Sequence, residues 1–302
     1  MRYLPTAEDL RTLWAFARPH TIVGSILAVG TFYLVAAHEA GRSDPTLLAI
    51  TLGAALAVNL YIVGLNQLTD VDIDRVNKPG LPLPSGRLSA TDASRVVAVA
   101  GVLAVGLAAA GGRWLLFTIL TVAVVGTLYS LPPMRLKRFP TAAALCIVGS
   151  RGVVGNFGLW LTFQVGLTGV FRVPAHVVAF VGFMIGFMTV ISLLKDVPDI
   201  EGDAEHAIRT YSVRMGARRV TRLAVSILSA FYLGMIVLGW LDGPGLHGGW
   251  TVSSHAVLWG ALGYAANRCD PEDRASVARF YLRVWNLYYL EFAAYLLACL
   301  RS

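Results

Sequence analysis

Strongly apolar runs recur from one end of the chain to the other, at roughly 21–38, 46–68, 94–112, 114–131, 140–163, 174–194, 222–240, 250–267 and 284–300. Most approach the ~20 residues that an α-helix needs to cross a bilayer. The rest of the sequence is too small to cover so many apolar helices in water. Of 302 residues, 56% are hydrophobic and only 14% charged, with a mean hydropathy of +0.63. These values exclude a large soluble helical protein and predict an all-α, polytopic membrane bundle of about nine transmembrane helices. Gly111 and Gly112 separate the third span from the fourth, and no break in the pattern divides 1–302 into a second domain.

Charge fixes the expected orientation. With the N-terminus inside, that segment and the even-numbered loops hold Arg75, Lys78, Arg87, Arg95, Arg135, Lys137, Arg138, Arg214, Arg218, Arg219, Arg268, Arg274 and Arg279, among others. The opposite side has little beyond Arg42, Arg113 and Arg172 before the terminal Arg301. Such a bias places the N-terminus and the long charged loops in the cytoplasm. The net charge of +7 is then a topological signal, and no nucleic-acid partner is implied. Glu8, Asp9 and Arg11 interrupt the first twenty residues and argue against a cleaved leader. Trp14 and Phe16 beside Arg11 and Arg18 suit a short interfacial helix. Cys146, Cys269 and Cys299 lack metal-ligand spacing and read as small core residues.

Two acidic stations stand out against this background. In "NQLTDVDIDRVNKPGLPLPSGR", residues 66–87, Asn66, Asp70 and Asp74 fall at i, i+4 and i+8, along one drifting helix face, before Pro79, Pro82 and Pro84 end any helix. The second, within "LLKDVPDIEGDAEHAIRTYSVRMG" at 193–216, offers Asp196, Asp199 and Asp203, with Glu201 and Gly202 between. Each follows an apolar span, and topology puts both on one face. Clustered carboxylates repel one another unless cations neutralise them. An oxygen-only donor set without His or Cys favours Mg²⁺, completed by substrate phosphates. A diphosphate headgroup whose hydrocarbon tail stays in the bundle fits that arrangement.

The motifs resemble those of the UbiA-type intramembrane prenyltransferases, and the resemblance covers nearly the whole chain. Asn66-Gln67-x-x-Asp70-x-x-x-Asp74 is similar to the family's first acidic motif, with Gln67 in place of the common Asp, and this form is typical of the homogentisate branch. Asp196-x-x-Asp199-x-x-Gly202-Asp203 resembles the second motif. "VNKPGLPLPSG" at 76–86, "GTLYSLPPMRLKR" at 126–138, "RGVVGNFG" at 151–158 and "FYLRVWNLYYLEF" at 280–292 also resemble that branch, in the same order. The resemblance implies Mg²⁺ held by Asp70, Asp74, Asp196 and Asp199, with Asn66 and Asp203 supporting. It further implies a prenyl diphosphate donor and a small aromatic acceptor, prenylated with loss of a carboxylate in the homogentisate branch. Acceptors such as 4-hydroxybenzoate, dihydroxynaphthoate or a glycerol-phosphate lipid, and cyclisation of the donor, are the alternatives within this fold. Oligomeric state is not encoded in these motifs.

Other residues have candidate roles toward the substrates. Lys137, Arg138 and Lys195 lie within reach of a diphosphate, or serve as membrane anchors. Tyr129 is either a substrate contact or an interfacial aromatic. Arg151 lies midway through the fifth span, where a charge is costly and faces a polar cavity or a partner. Asn156 contacts substrate or forms an interhelical hydrogen bond. Trp285, Tyr288, Tyr289 and Phe292 form an aromatic wall or ordinary packing, and the stripe Phe180, Phe183, Met184 and Phe187 lines a channel or the core. A transporter would place several ionisable groups at mid-span, whereas here Arg151 is the exception.

Overall fold

The computed structural model describes residues 6–198, 200, 210–243 and 245–301, and its regular structure among them is entirely helical. Asp199, Glu201, Gly202, Asp203 and His206 lie outside the described residues. A short helix, α1 (Ala7–Phe16), begins at a capping box between Thr6 and Asp9. Then come α2 (Pro19–Ala40), α3 (Pro45–Thr69), α4 (Val71–Asn77), α5 (Ala90–Ala110) and α6 (Arg113–Ser130). Proline at the first turn of α2 and α3 costs no hydrogen bond, and the Asp44 and Ser89 side chains cap α3 and α5.

The fifth span is composite: α7 (Pro140–Ile147) passes through a π segment, Val148–Val154, into α8 (Gly155–Thr168). The chain continues through α9 (Ala175–Leu194), the short α10 (Tyr211–Met215), α11 (Ala217–Trp240), α12 (Gly248–Asn267) and α13 (Arg274–Leu300). Among the described residues, seven spans are long and apolar enough to cross a membrane: α2, α3, α5, α6, the composite Pro140–Thr168, α9 and α11. The expected eighth and ninth, α12 and α13, have the length but are less apolar. One polar pair between them faces inward: Glu291, 1% exposed, lies 3.3 Å from His255 Nε2, so neither presents a charge to lipid.

Packing partners close into a ring in the order α2, α3, α6, π segment, α9, α11, α12, α13 and back to α2, with α5 laid against α3 and α6. Helices α6 and α8 approach so closely that a Cβ on Gly158 would fall 1.9 Å from Thr118 Oγ1, so any larger residue there forces Thr118 to move. The outer face of α5 exposes Val99, Val102 and Leu103, as a lipid-facing helix requires. The stripe Phe180, Phe183, Met184 and Phe187 is at most 2% exposed, so it belongs to the core and not to a channel. At the bundle end remote from the acidic motifs, His176 joins Glu39 (2.8 Å) and Tyr295 (2.8 Å), tying α2, α9 and α13 together.

Phe16 departs from the interfacial expectation. It is fully buried against Leu83, Ala93 and Val97, while Trp14 remains exposed. Of the cysteines only Cys299 is buried, and Cys146 forms part of a cavity wall.

Candidate active site

The C-terminal ends of α3, α6 and α9, the start of α2 and the first half of α13 meet at one end of the ring around a chamber of ≈ 1020 Å³. Asn66, Asp70, Asp74, Tyr129, Lys137, Arg138, Arg151, Lys195 and Asp196 all line it. Among the described residues, the two acidic stations therefore share one compartment although 126 sequence positions separate Asp70 from Asp196.

The first station is not a continuous helical face. The α3 helix stops at Thr69, Asp70 takes a non-helical φ of −116°, and α4 restarts the chain. The break turns Asp70 inward while keeping its neighbours: Asn66 Nδ2 donates to Asp70 Oδ2 (3.0 Å), and Asp74 N–H donates to Asp70 O (2.7 Å). Lys137 Nζ lies 2.6 Å and Arg135 Nη2 3.3 Å from Asp70 Oδ1. Lys137 also donates to Thr69 Oγ1 (2.8 Å), and Arg135 to Thr69 O (3.1 Å). Asp74 is 5% exposed. At the second station Lys195 Nζ pairs with Asp196.

Burial pulls the Lys137 ammonium below its ordinary pKa, against the opposing attraction of Asp70. Burial acts on Lys195 in the same sense, but the Asp196 carboxylate and the Tyr129 hydroxyl outweigh it and hold that ammonium above its usual range. Both lysines are therefore kept beside a carboxylate by charge, in a site where uncompensated charge is costly.

Among the described residues four aspartates line the chamber, namely Asp70, Asp72, Asp74 and Asp196, against seven cations: Arg18, Lys78, Arg135, Lys137, Arg138, Arg151 and Lys195. The surplus among these residues is positive and suits a polyanionic head. Arg135 and Arg18 were legible in the sequence only as topological charges. Both hold left-handed backbones, φ 38° and 52°, a conformation costing a non-glycine residue roughly 1–2 kcal/mol. Such strain is maintained where the surroundings over-determine a residue.

Gln67 points away from the chamber. It is 1% exposed, and its Nε2 donates to Phe16 O (2.6 Å) and Val63 O (3.3 Å), so it fastens the end of α1 to α3. Asn156 is also absent from the chamber wall. Its side chain is spent within its own span, on the backbone of the π segment, and lines a smaller adjoining cavity of ≈ 100 Å³ with Tyr288. Arg151 reaches both cavities, and its Nη2 donates to Asn59 Oδ1 (2.9 Å). Tyr281 and Trp285 bring an aromatic wall from α13.

Among the described residues no three His, Cys, Asp or Glu side chains converge on a point that would cage a metal. Asp70 and Asp74 at one station and Asp196 at the other, with Asp70 and Asp196 already beside side-chain cations, match an ion that takes one or two protein carboxylates and relies on substrate oxygens for the rest. Mg²⁺ behaves in this way, and the all-oxygen donor set fits it better than Zn²⁺.

Fold and chamber together define an integral membrane protein built to receive a polyanionic head on an apolar tail. The chain belongs to the UbiA prenyltransferase family, which it matches over residues 26–287. It is 39% identical to the homogentisate phytyltransferase of Synechocystis sp., over 96% of each chain. It is 36% identical to homogentisate phytyltransferase 1 of Arabidopsis thaliana, over 94% of this chain and 74% of the relative. A UbiA homologue from Archaeoglobus fulgidus bound to DMAPP and Mg²⁺ shares the fold, with a TM-score of 0.65 and 16% identity, over 96% of this chain and 99% of that one.

Proposed function

We propose that this protein transfers an isoprenoid group from a prenyl diphosphate to a small electron-rich aromatic acceptor, homogentisate foremost, with Mg²⁺ as cofactor and release of diphosphate. The described chain acts as one prenyltransferase unit in this reading. The observation that carries it is the convergence of Asp70, Asp74 and Asp196 with a surplus of Lys and Arg on one chamber at the end of an apolar bundle. Names of the relatives, which are homogentisate phytyltransferases, support the acceptor.

Asp70, Asp74 and Asp196, with Asn66 beside Asp70, would hold the metal, and the resemblance to the family's second acidic motif assigns Asp199 to the same task, with Asp203 supporting. A divalent ion supplies charge that stabilises the departing diphosphate. Lys137, Arg138, Arg135 and Lys195 donate to its oxygens as the allylic C–O bond breaks and the diphosphate takes the electron pair. Tyr129, Tyr281 and Trp285 present ring faces to the cation that remains. A ring carbon of the acceptor forms the new C–C bond and gives up its proton as the ring regains aromaticity. With homogentisate the side-chain carboxylate leaves as CO2 and a proton takes its place, and Arg151 holds that carboxylate, until it leaves, in a site shielded from water. The positive-inside charge pattern supports a cytoplasmic chamber mouth.

The direct test crosses four isoprenoid diphosphates with homogentisate, 4-hydroxybenzoate, dihydroxynaphthoate and a glycerol-phosphate acceptor, with product masses as readout. A prenylated aromatic is expected, most abundantly from homogentisate. Transfer to the glycerol-phosphate acceptor alone removes the aromatic assignment, and cyclised donor formed without any acceptor removes group transfer. Orientation is tested by single cysteines in the 72–90 and 200–215 loops and near residue 43. The first two are expected to react with an impermeant reagent from the cytoplasmic side and the third from outside. Reaction of the two acidic loops from opposite sides defeats the shared chamber.

A further inference from the structure

The π segment at Val148–Val154 has a specific consequence for Arg151, the cation in its middle. Successive residues of a helix point about 100° apart, and a π turn accommodates one extra residue. The turn therefore decides whether position 151 or a neighbour faces the chamber.

Two residues of "RGVVGN" hold the turn. Gly155 N–H donates to Ser150 O, five residues back, and a Cβ on Gly155 would stand 3.0 Å from that same oxygen. Asn156, 2% exposed, donates through Nδ2 to Arg151 O (3.1 Å) and Gly152 O (2.9 Å). An apolar side chain at 156 would withdraw a buried donor from both carbonyls. Once placed, the guanidinium is aimed across the bundle. Asn59 accepts from Arg151, donates to Thr21 Oγ1 (3.0 Å), and Thr21 Oγ1 donates to Arg18 O (2.9 Å). A guanidinium has five N–H donors, so the bond to Asn59 leaves others for a ligand.

We infer that Asn156 is a positioning residue: with Gly155 it fixes the π turn that carries Arg151 into the chamber, and thereby sets the selectivity for an acceptor bearing a carboxylate. The selectivity rests on the acceptor reading above; the positioning does not. Asn156 lines only the smaller cavity and acts through Arg151.

Two measurements separate these parts. In full-length protein with Cys146, Cys269 and Cys299 replaced by Ala, Arg151→Cys is treated in detergent with a charged, water-soluble thiol reagent. Adding Asn156→Leu is expected to slow modification by about 10-fold or more, as a residue turned into packed surroundings loses access. Unchanged modification overturns the positioning role. Gly155→Ala is expected to slow it in the same direction, and serves if Asn156→Leu is not recovered folded.

The second measurement compares homogentisate with methylhydroquinone, the same ring lacking the carboxylate. Asn156→Leu and Arg151→Leu are each expected to raise KM for homogentisate about 10-fold more than KM for the neutral ring, the loss of one charge-assisted pair. An effect in Arg151→Leu without one in Asn156→Leu overturns the inference and leaves the acceptor reading standing. Equal effects on both rings in both variants overturn the acceptor reading, and the thiol measurement then decides the positioning role alone.

Discussion

Asp70→Asn and Asp196→Asn are each expected to lower kcat by about 10²-fold or more, the usual cost of losing one preorganised electrostatic contact to a charge that develops in the transition state. The substitution keeps size and removes only charge. Asp70 lies between Lys137 at 2.6 Å and Arg135 at 3.3 Å, so asparagine there leaves two cations without this counter-charge and, on the proposed reading, deprives the metal of a ligand. Asp196 stands in the same relation to Lys195. Initial rates over a Mg²⁺ titration are the measurement, with a higher Mg²⁺ requirement accompanying the lower kcat. Asp92→Asn is the control, since Asp92 pairs with Arg95 on the outward-facing α5 and is no part of the chamber wall. Either chamber variant within a few-fold of the parent would remove its aspartate from the site.

Removal of divalent cation is expected to have the larger effect. In excess chelator, transfer should fall by about 10³-fold or more and return with Mg²⁺, because metal and basic side chains share the stabilisation of the leaving diphosphate. The seven lining cations argue that donor binding will survive chelation in part, so kcat should collapse further than affinity for the donor. Ca²⁺ should restore less than Mg²⁺, since it prefers more ligands at longer distance than two isolated carboxylate stations supply. Turnover in chelator at the untreated rate is the outcome that excludes a metal role.

The spans and the two acidic stations were legible because hydropathy and charge are local properties, readable a window at a time. The shared chamber was legible from topology, since loops after the second and sixth helices emerge on the same side. What escaped depends on contacts far apart in sequence. The continuous face expected for Asn66, Asp70 and Asp74 is broken at Asp70, whose inward turn is accompanied by contacts from Arg135 and Lys137, more than 60 positions away. The reduced apolarity of α12 and α13 makes sense only once His255 and Glu291 are found facing each other. Phe16 reads as interfacial beside its arginines, but the Gln67 amide takes its carbonyl into the core. The π turn has no periodic signature, and only the pairing of a glycine with a following asparagine hints at it.

Gln67 bears on how variation within the first motif is to be understood. Matched letter by letter, glutamine at this position looks like a ligand lost. In space it is a fastener: its amide holds the final carbonyl of α1, and α1 with the turn after it contributes Trp14, Ala15 and Arg18 to the chamber wall. A carboxylate at 67 would set an acceptor against an acceptor and release that wall, unless the chain's entry into the second helix were rebuilt with it. On the proposed reading, position 67 serves the packing that closes the mouth, whereas 66, 70 and 74 line the chamber itself.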